Sequence, residues 1–425
     1  MTDVLGLLAY LILPLAGVVV WRLDFVREMP LPARLGVALA AGSLIVALLM
    51  SALSVIGVEW SRSVLFPLLA IIAGFGLWSL RTSSIRSVPW RPGRRNWIAD
   101  GGTAMAWLLT LYGTVTARES CGDLQFTWGP KAIRWFRAGG LDPDVLRTWP
   151  QLTVDYPPLQ TLLMSFSNTF SHQFSWWAAV LAGPLFMLAT LAIIRIWSGD
   201  ATGTLLFAAT LAYTFTLSYP AGCAEPPLLL FELIAIAALT FIDDERAQTF
   251  LVAMSLAGAV YTKLEGTTFA IAVFLTIVLV KRRPKQAAIA VAPAALVIAG
   301  WMAYVFTNGL YYMYSGATLP IYWSALPVTL KTLARVAKFE LYWLPWLVPI
   351  VLVAIGNWRR ALVPISIFLL TCGATVYFYV HYADPVWWIE SSSPRVILTP
   401  LMALLVAAIA AHRPSAAEPA QAPAA

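Results

Sequence analysis

The sequence predicts an all-α, polytopic membrane protein, and three observations carry that prediction. Of its 425 residues 60% are hydrophobic and only 12% are charged, and the mean hydropathy of +0.76 lies well outside the range of soluble domains. Apolar runs near the ~20 residues that span a ~30 Å hydrocarbon core recur along nearly the whole chain. The basic residues concentrate in loops between those runs, where they set orientation. Helices are expected because a helix satisfies its own backbone hydrogen bonds in lipid. The formal net charge of +7 is therefore read as a topology signal and not as a nucleic-acid footprint.

Two loops fix the orientation. Arg81 to Arg95 is arginine-rich with no acidic residue, and Lys281 to Lys285 reads KRRPK; by the positive-inside rule both are cytoplasmic. The N-terminus lacks a basic leader and a small-residue cleavage site, so it reads as a retained first helix. Spans are expected at Val4 to Trp21, Leu35 to Ile56, Val64 to Leu80 and Trp97 to Thr116, with the N-terminus outside. Arg118 to Tyr156 is then an outer loop. Spans follow at Trp176 to Trp197, Thr204 to Tyr219 and Pro226 to Ile242. Tyr156 to Phe170 is left as a helix lying in, or dipping into, the outer interface, its prolines placed at a helix start. Phe250 to Thr262 and Thr267 to Val280 are two short helices meeting at KLEG, a junction whose charges are tolerated only beside protein or a water-filled cavity.

The remaining spans are Ala287 to Phe306, Leu341 to Ile355, Leu362 to Val380 and Val396 to Ala411, about thirteen in all, with the C-terminus cytoplasmic. The chain divides into an N-terminal three-helix segment with the basic loop (1–96), a central module (97–306), C-terminal helices with outer loops (307–412) and an Ala/Pro-rich, disordered tail (413–425). Thr329 to Glu340 is basic and amphipathic: either an interfacial helix meeting anionic headgroups or a lipid-linked phosphate, or a solvated polar face.

Four acidic residues fall on the expected outer side: Asp123, Asp155, Glu225 and Glu265; Lys131, Lys263 and Arg395 supply the matching positive charge. Acids at the membrane edge are functional candidates because burying them is costly unless they are paired or hydrated. Asp123, beside aromatic rings that could shield it from water, is either a general base or a cap on the helix starting near Trp128. Lys131 either faces a phosphate or snorkels to headgroups. Phe126, Trp128, Trp135 and Phe136 read as an interfacial belt more than as a sugar platform. Asp142 and Asp144 are turn chemistry, and His172 and His381 are isolated. No cofactor is expected; a divalent cation on the outer acids is conceivable, but no compact motif for one is present. The three cysteines have no metal-ligand spacing; Cys121 and Cys223, both in expected outer loops, read as separate thiols with a disulfide chemically permitted.

Four stretches in order, GDLQFTWGPKAIRWF, DYPPLQTLL, AEPPLLLF and TKLEGTTF, together resemble the GT-C glycosyltransferases related to protein mannosyltransferases and to bacterial lipid A and lipopolysaccharide sugar transferases. The likeness covers Glu119 to Val280, with a weaker echo at Pro394 and Arg395. It implies a GT-C type fold with an outer-face juxtamembrane helical loop, in a bacterial inner membrane, with the site facing the periplasm or exterior. It implies Asp123 as the base that deprotonates an acceptor hydroxyl, which attacks the anomeric carbon of a polyprenyl-phosphate-linked sugar with inversion. One carboxylate suffices for a single displacement, in contrast to retaining hydrolases. Lys131, Lys263 and Arg395 would hold the phosphate, Glu225 and Glu265 would orient sugar or acceptor, and Asp155 and Tyr156 of the DYPPL element would complete the binding site. The implied partners are the lipid-linked donor, a lipid or glycan acceptor of the cell envelope, and membrane lipids. Three helices precede the one leading to Asp123, where many members of that family have one. The alternative is a transporter or flippase of lipid-linked sugars, disfavoured by the lack of visible repeats.

Overall fold

The computed structural model describes residues 2–82, 97–117, 123–148, 156–171, 173–198, 222–310, 320–339, 343–382 and 384–412. The expected span Thr204 to Tyr219, the tail 413–425, Cys121, Asp155 and His172 lie outside them. Every regular element among the described residues is helical. The N-terminal helices are α1 (Thr2–Ala9), α2 (Ile12–Ala16), α3 (Asp24–Arg27), α4 (Leu31–Val55) and α5 (Arg62–Thr82). The central ones are α6 (Trp97–Ala117), α7 (Gly129–Ala138), α8 (Pro143–Thr148), α9 (Leu159–Thr169), α10 (Trp176–Ser198), α11 (Glu225–Phe241), α12 (Glu245–Thr262), α13 (Glu265–Leu279) and α14 (Pro284–Thr307). The C-terminal ones are α15 (Leu326–Phe339), α16 (Leu344–Ile355), α17 (Leu362–Tyr379), α18 (Pro385–Val396) and α19 (Leu398–His412).

Among the described residues six stretches are long and apolar enough to cross a membrane: Val4–Arg22, Leu31–Val55, Arg62–Arg81, Trp176–Trp197, Pro284–Thr307 and Trp358–Tyr379. The pair α18 and α19, bent by 41°, makes up to seven. This fits a helical membrane protein but falls short of the thirteen spans expected. Several helices counted as spans are too short, among them α13 at 15 residues, α16 at 12 and α11 at 17. Others are diluted by polar residues, as α6 is by Asp100 and its glycines and threonines.

Local chemistry explains the breaks. The first span is interrupted where α2 crosses α4: a methyl on Gly17 would strike the carbonyl oxygen of Ala38, and one on Gly42 that of Leu13. Only glycine permits such backbone approach. Gly139, at φ 66°, ends α7 in the left-handed conformation. Asp244 starts α12 by accepting a hydrogen bond from Ala247 N at 2.7 Å, and Asp384 starts α18 by accepting from Val386 N at 3.1 Å.

The loops sort to two ends. At one, Trp60 N donates to Gly139 O (2.6 Å), Leu141 N to Ser54 Oγ (3.0 Å) and Arg147 Nη2 to Asn308 O (2.6 Å). At the other, Arg195 pairs with Asp100 at 2.8 Å, Phe25 meets Trp197, and Lys281 Nζ donates to Leu239 O (3.1 Å) and Gln248 Oε1 (3.0 Å). The main core cluster joins residues from Ala9 through Phe166 and Leu251 to Ile409, with three smaller clusters beside it.

One placement is corrected. α9 does not lie along an interface: all eleven of its residues are buried, enclosed by α1, α4, α7, α10 and α12. A helix lying on an interface would keep one face exposed. The polar groups of α9 turn inward instead, Ser165 Oγ donating to Ala132 O at 3.1 Å and Asn168 Nδ2 to Met164 O at 2.8 Å.

Candidate functional site

The junction between α12 and α13 anchors the site. Lys263 is extended, with φ −159° and ψ 155°, which ends α12. Gly266 lets α13 start against α12, because a methyl there would strike the carbonyl of Ala259. The turn holds the Lys263 ammonium inside the bundle, its side chain only 7% exposed. Its Nζ lies 2.8 Å from Glu225 Oε1 at the first turn of α11 and 2.8 Å from Glu265 Oε1 at the first turn of α13.

Arg395, in the last turn of α18, extends this group. Its Nη1 pairs with Asp123 Oδ2 and lies 3.9 Å from Glu225 Oε1. Asp123 immediately precedes a π-helical turn, Leu124–Trp128, which runs into α7. The side chain of Asp123 makes no cap hydrogen bond, so of the two sequence readings the cap falls away and the carboxylate is engaged by Arg395. Asp123, Arg395, Glu225, Lys263 and Glu265 form one continuous chain of ion pairs of three carboxylates and two cations, formally −1. Low-dielectric surroundings strengthen each contact and raise the cost of losing one. Glu225 Oε2 and Glu265 Oε2 are buried acceptor atoms with no hydrogen-bond partner among the described residues.

Tyr156 stands beside Lys263, meeting Trp128 edge-on at 5.7 Å between centroids. Lys131 is 1% exposed, its Nζ 5.5 Å from the Trp128 centroid. It is a cation packed on a ring inside the protein, so the snorkelling reading does not hold. The interfacial-belt reading is corrected too: Trp128 and Trp135 are buried, and only Phe126 of the four rings is strongly exposed. Lys131, Ala132 and Trp135 share the face of α7 that packs on α9. Asp142 behaves as turn chemistry, accepting from Asp144 N at 2.9 Å, and His381 Nδ1 lies 3.3 Å from Pro320 O.

Sequence reasoning missed Glu232. It is fully buried and accepts hydrogen bonds from Thr399 Oγ1 at both carboxyl oxygens, 3.0 and 2.8 Å. Seven residues after Glu225, it lies two turns deeper on the same face of α11, about 10 Å along the axis. An ionisable residue inside the apolar run LLLFELIAI was itself a signal.

An apolar groove of about 330 Å³ opens elsewhere, lined by Leu48, Val55, Leu296 and Trp301 with Ser51 and Tyr261. Tyr261 hydrogen-bonds Ser51 and precedes Lys263 by two residues, so the groove reaches the same end of α12 as the charged group. No family model matches the chain, and neither a curated protein nor a solved structure matches it.

Proposed function

We propose that the chain is an integral membrane glycosyltransferase of GT-C type. It moves a sugar from a polyprenyl-phosphate-linked donor to a cell-envelope acceptor on the outer face, by inverting single displacement. The observation that carries the reading is the meeting of Asp123, Arg395, Glu225, Lys263 and Glu265, drawn from stretches up to 272 residues apart.

In this reading Asp123 takes the proton of the acceptor hydroxyl as its oxygen attacks the anomeric carbon. The bond from that carbon to the phosphate oxygen breaks, and the electron pair leaves with the lipid phosphate. Arg395 holds Asp123 in the resting protein. When the donor phosphate draws Arg395 to itself, the carboxylate is released for the acceptor, so donor binding and base activation become one event. Lys263, already shared by two carboxylates, positions Glu225 and Glu265, whose unpartnered oxygens suit sugar hydroxyls. The apolar groove beside Tyr261 is the volume for the prenyl chain. Lys131, packed under Trp128, supports the wall of the site at Tyr156.

The test is Asp123→Asn in membranes supplied with polyprenyl-phosphate-linked sugars and a panel of envelope acceptors. Transfer is expected to fall by roughly 10²–10⁴-fold, the usual share of general-base catalysis; full transfer by the variant overturns the assignment. The flippase reading draws on one observation, the buried carboxyl of Glu232 within a membrane helix. Movement of the lipid-linked sugar across the bilayer with no transfer would favour it.

A further inference from the structure

α15 is absorbed by neither the core nor the charged site. Thr329, Thr332 and Val336 are buried on one side of the helix, which packs on α18. On the other side Lys331, Arg335 and Lys338 are exposed at spacings i, i+4 and i+7, one stripe along the axis. Val328 and Leu330 are also exposed, at 44% and 50%. The side turned away from the protein is therefore cationic and apolar at once, which a merely solvated face is not.

The surroundings repeat this combination. Trp323, Trp343 and Trp387 are exposed around the helix. Trp343 Nε1 donates to Ala334 O at 2.9 Å, and Lys338 Nζ sits 5.9 Å from the Trp343 ring centroid. Exposed tryptophans with neighbouring cations mark the level of lipid headgroups. The acid paired with the stripe is Glu390 on α18, which pairs with Arg335 with both side chains about half exposed; such pairs exchange readily for a stronger anion. Five residues further along α18, Arg395 reaches Asp123.

We infer that the Lys331–Arg335–Lys338 face of α15 is a docking surface for anionic phospholipid headgroups of the surrounding bilayer. Three cations offer the charge complement of the phosphates, while Val328, Leu330 and the tryptophans lie against the upper acyl chains. The proposal stands apart from the catalytic reading, since it needs no reaction.

The test uses the full chain in nanodiscs of mixed phosphatidylglycerol and phosphatidylcholine, with co-purified lipid counted by native mass spectrometry. Wild type is expected to retain phosphatidylglycerol selectively, and the triple variant K331Q/R335Q/K338Q to lose that preference by roughly a hundred-fold, at about five-fold for each of the three cations near an anionic surface. Equal retention by wild type and triple variant overturns the proposal, as does a wild type that retains phosphatidylcholine equally. Glu390→Gln covers the case in which the triple variant fails to fold. It removes the acid that pairs with the stripe and is expected to raise phosphatidylglycerol retention, and an unchanged or lowered value overturns the proposal.

Discussion

Glu225 and Glu232 share one face of α11 but stand in opposite electrostatic settings. Glu225 Oε1 lies 2.8 Å from the Lys263 ammonium and 3.9 Å from Arg395, whereas Glu232 accepts from the Thr399 hydroxyl and has no described cation within ion-pair distance. Thr399 follows Arg395 by four residues across the 41° bend between α18 and α19. α11 therefore meets the α18–α19 pair at two rungs, one built on ion pairs and one on a hydrogen bond from a hydroxyl.

The hydroxyl rung predicts a mild substitution. A buried carboxyl without a cation is tolerated in its neutral form. Glu232→Gln keeps the shape and the hydrogen bonding without a charge, and is expected to change stability by less than about 1 kcal/mol. Glu232→Lys should abolish folding or insertion. Thermal unfolding in detergent separates the two, and a large loss in the glutamine variant would show that the negative charge itself is needed.

Opposite behaviour is expected at the ion-pair rung. Lys263→Met strands two carboxylates that now share one ammonium, and removing one partner of a buried ion pair costs about 3–5 kcal/mol. The double variant K263M/E225Q should recover part of that loss, because one of the stranded charges is gone. A coupling energy near zero in the cycle would contradict the shared ammonium.

How much of this was legible in the sequence depends on whether the signal was local. The break at KLEG was readable because two charges and a glycine interrupt an apolar run, and the structure places the turn there. The membrane class followed from composition. Arg395 could be grouped with the outer acids by charge alone, but nothing near it in the chain specifies Asp123 as its partner, 272 residues away. Glu232 escaped because averaging hydropathy over a span hides one acid among leucines. α9 was misplaced because its sequence does not say what covers it. The span count failed where helices of 12 to 17 residues were credited as full crossings.

Gly266 gives a steric prediction. Alanine there would press its methyl on the Ala259 carbonyl, forcing α13 away from α12 and spreading the Lys263–Glu265 contact. Gly266→Ala is expected to lower stability by about 1–3 kcal/mol, as overpacking does. A variant that unfolds at the wild-type temperature would show that the approach is looser than described.

Lys281, in the turn between α13 and α14, gives a pH prediction. Burial, followed by the neighbouring Arg283, pushes its ammonium down to about 8 from an ordinary 10.5. Between those values the folded chain binds fewer protons than the unfolded one, so this group makes stability rise with pH from about 8 to 10.5. Below pH 8 the cost of holding the charged amine is fully present. Subtracting the pH profile of Lys281→Gln from that of wild type isolates the contribution, and a flat or falling difference would contradict it.

The π-helical turn after Asp123 bears on descent as well as geometry. A π turn holds one residue more than the α-helical turn it replaces. Deleting any one of Leu124–Trp128 would let the segment rewind as α-helix, with α7 still anchored on α9. Everything before the deletion would then rotate by about 100°, carrying Asp123 off Arg395. A one-residue gap in this stretch of a related chain would therefore separate proteins with the aspartate–arginine pair from proteins without it, although an alignment would score it as a small edit in a loop.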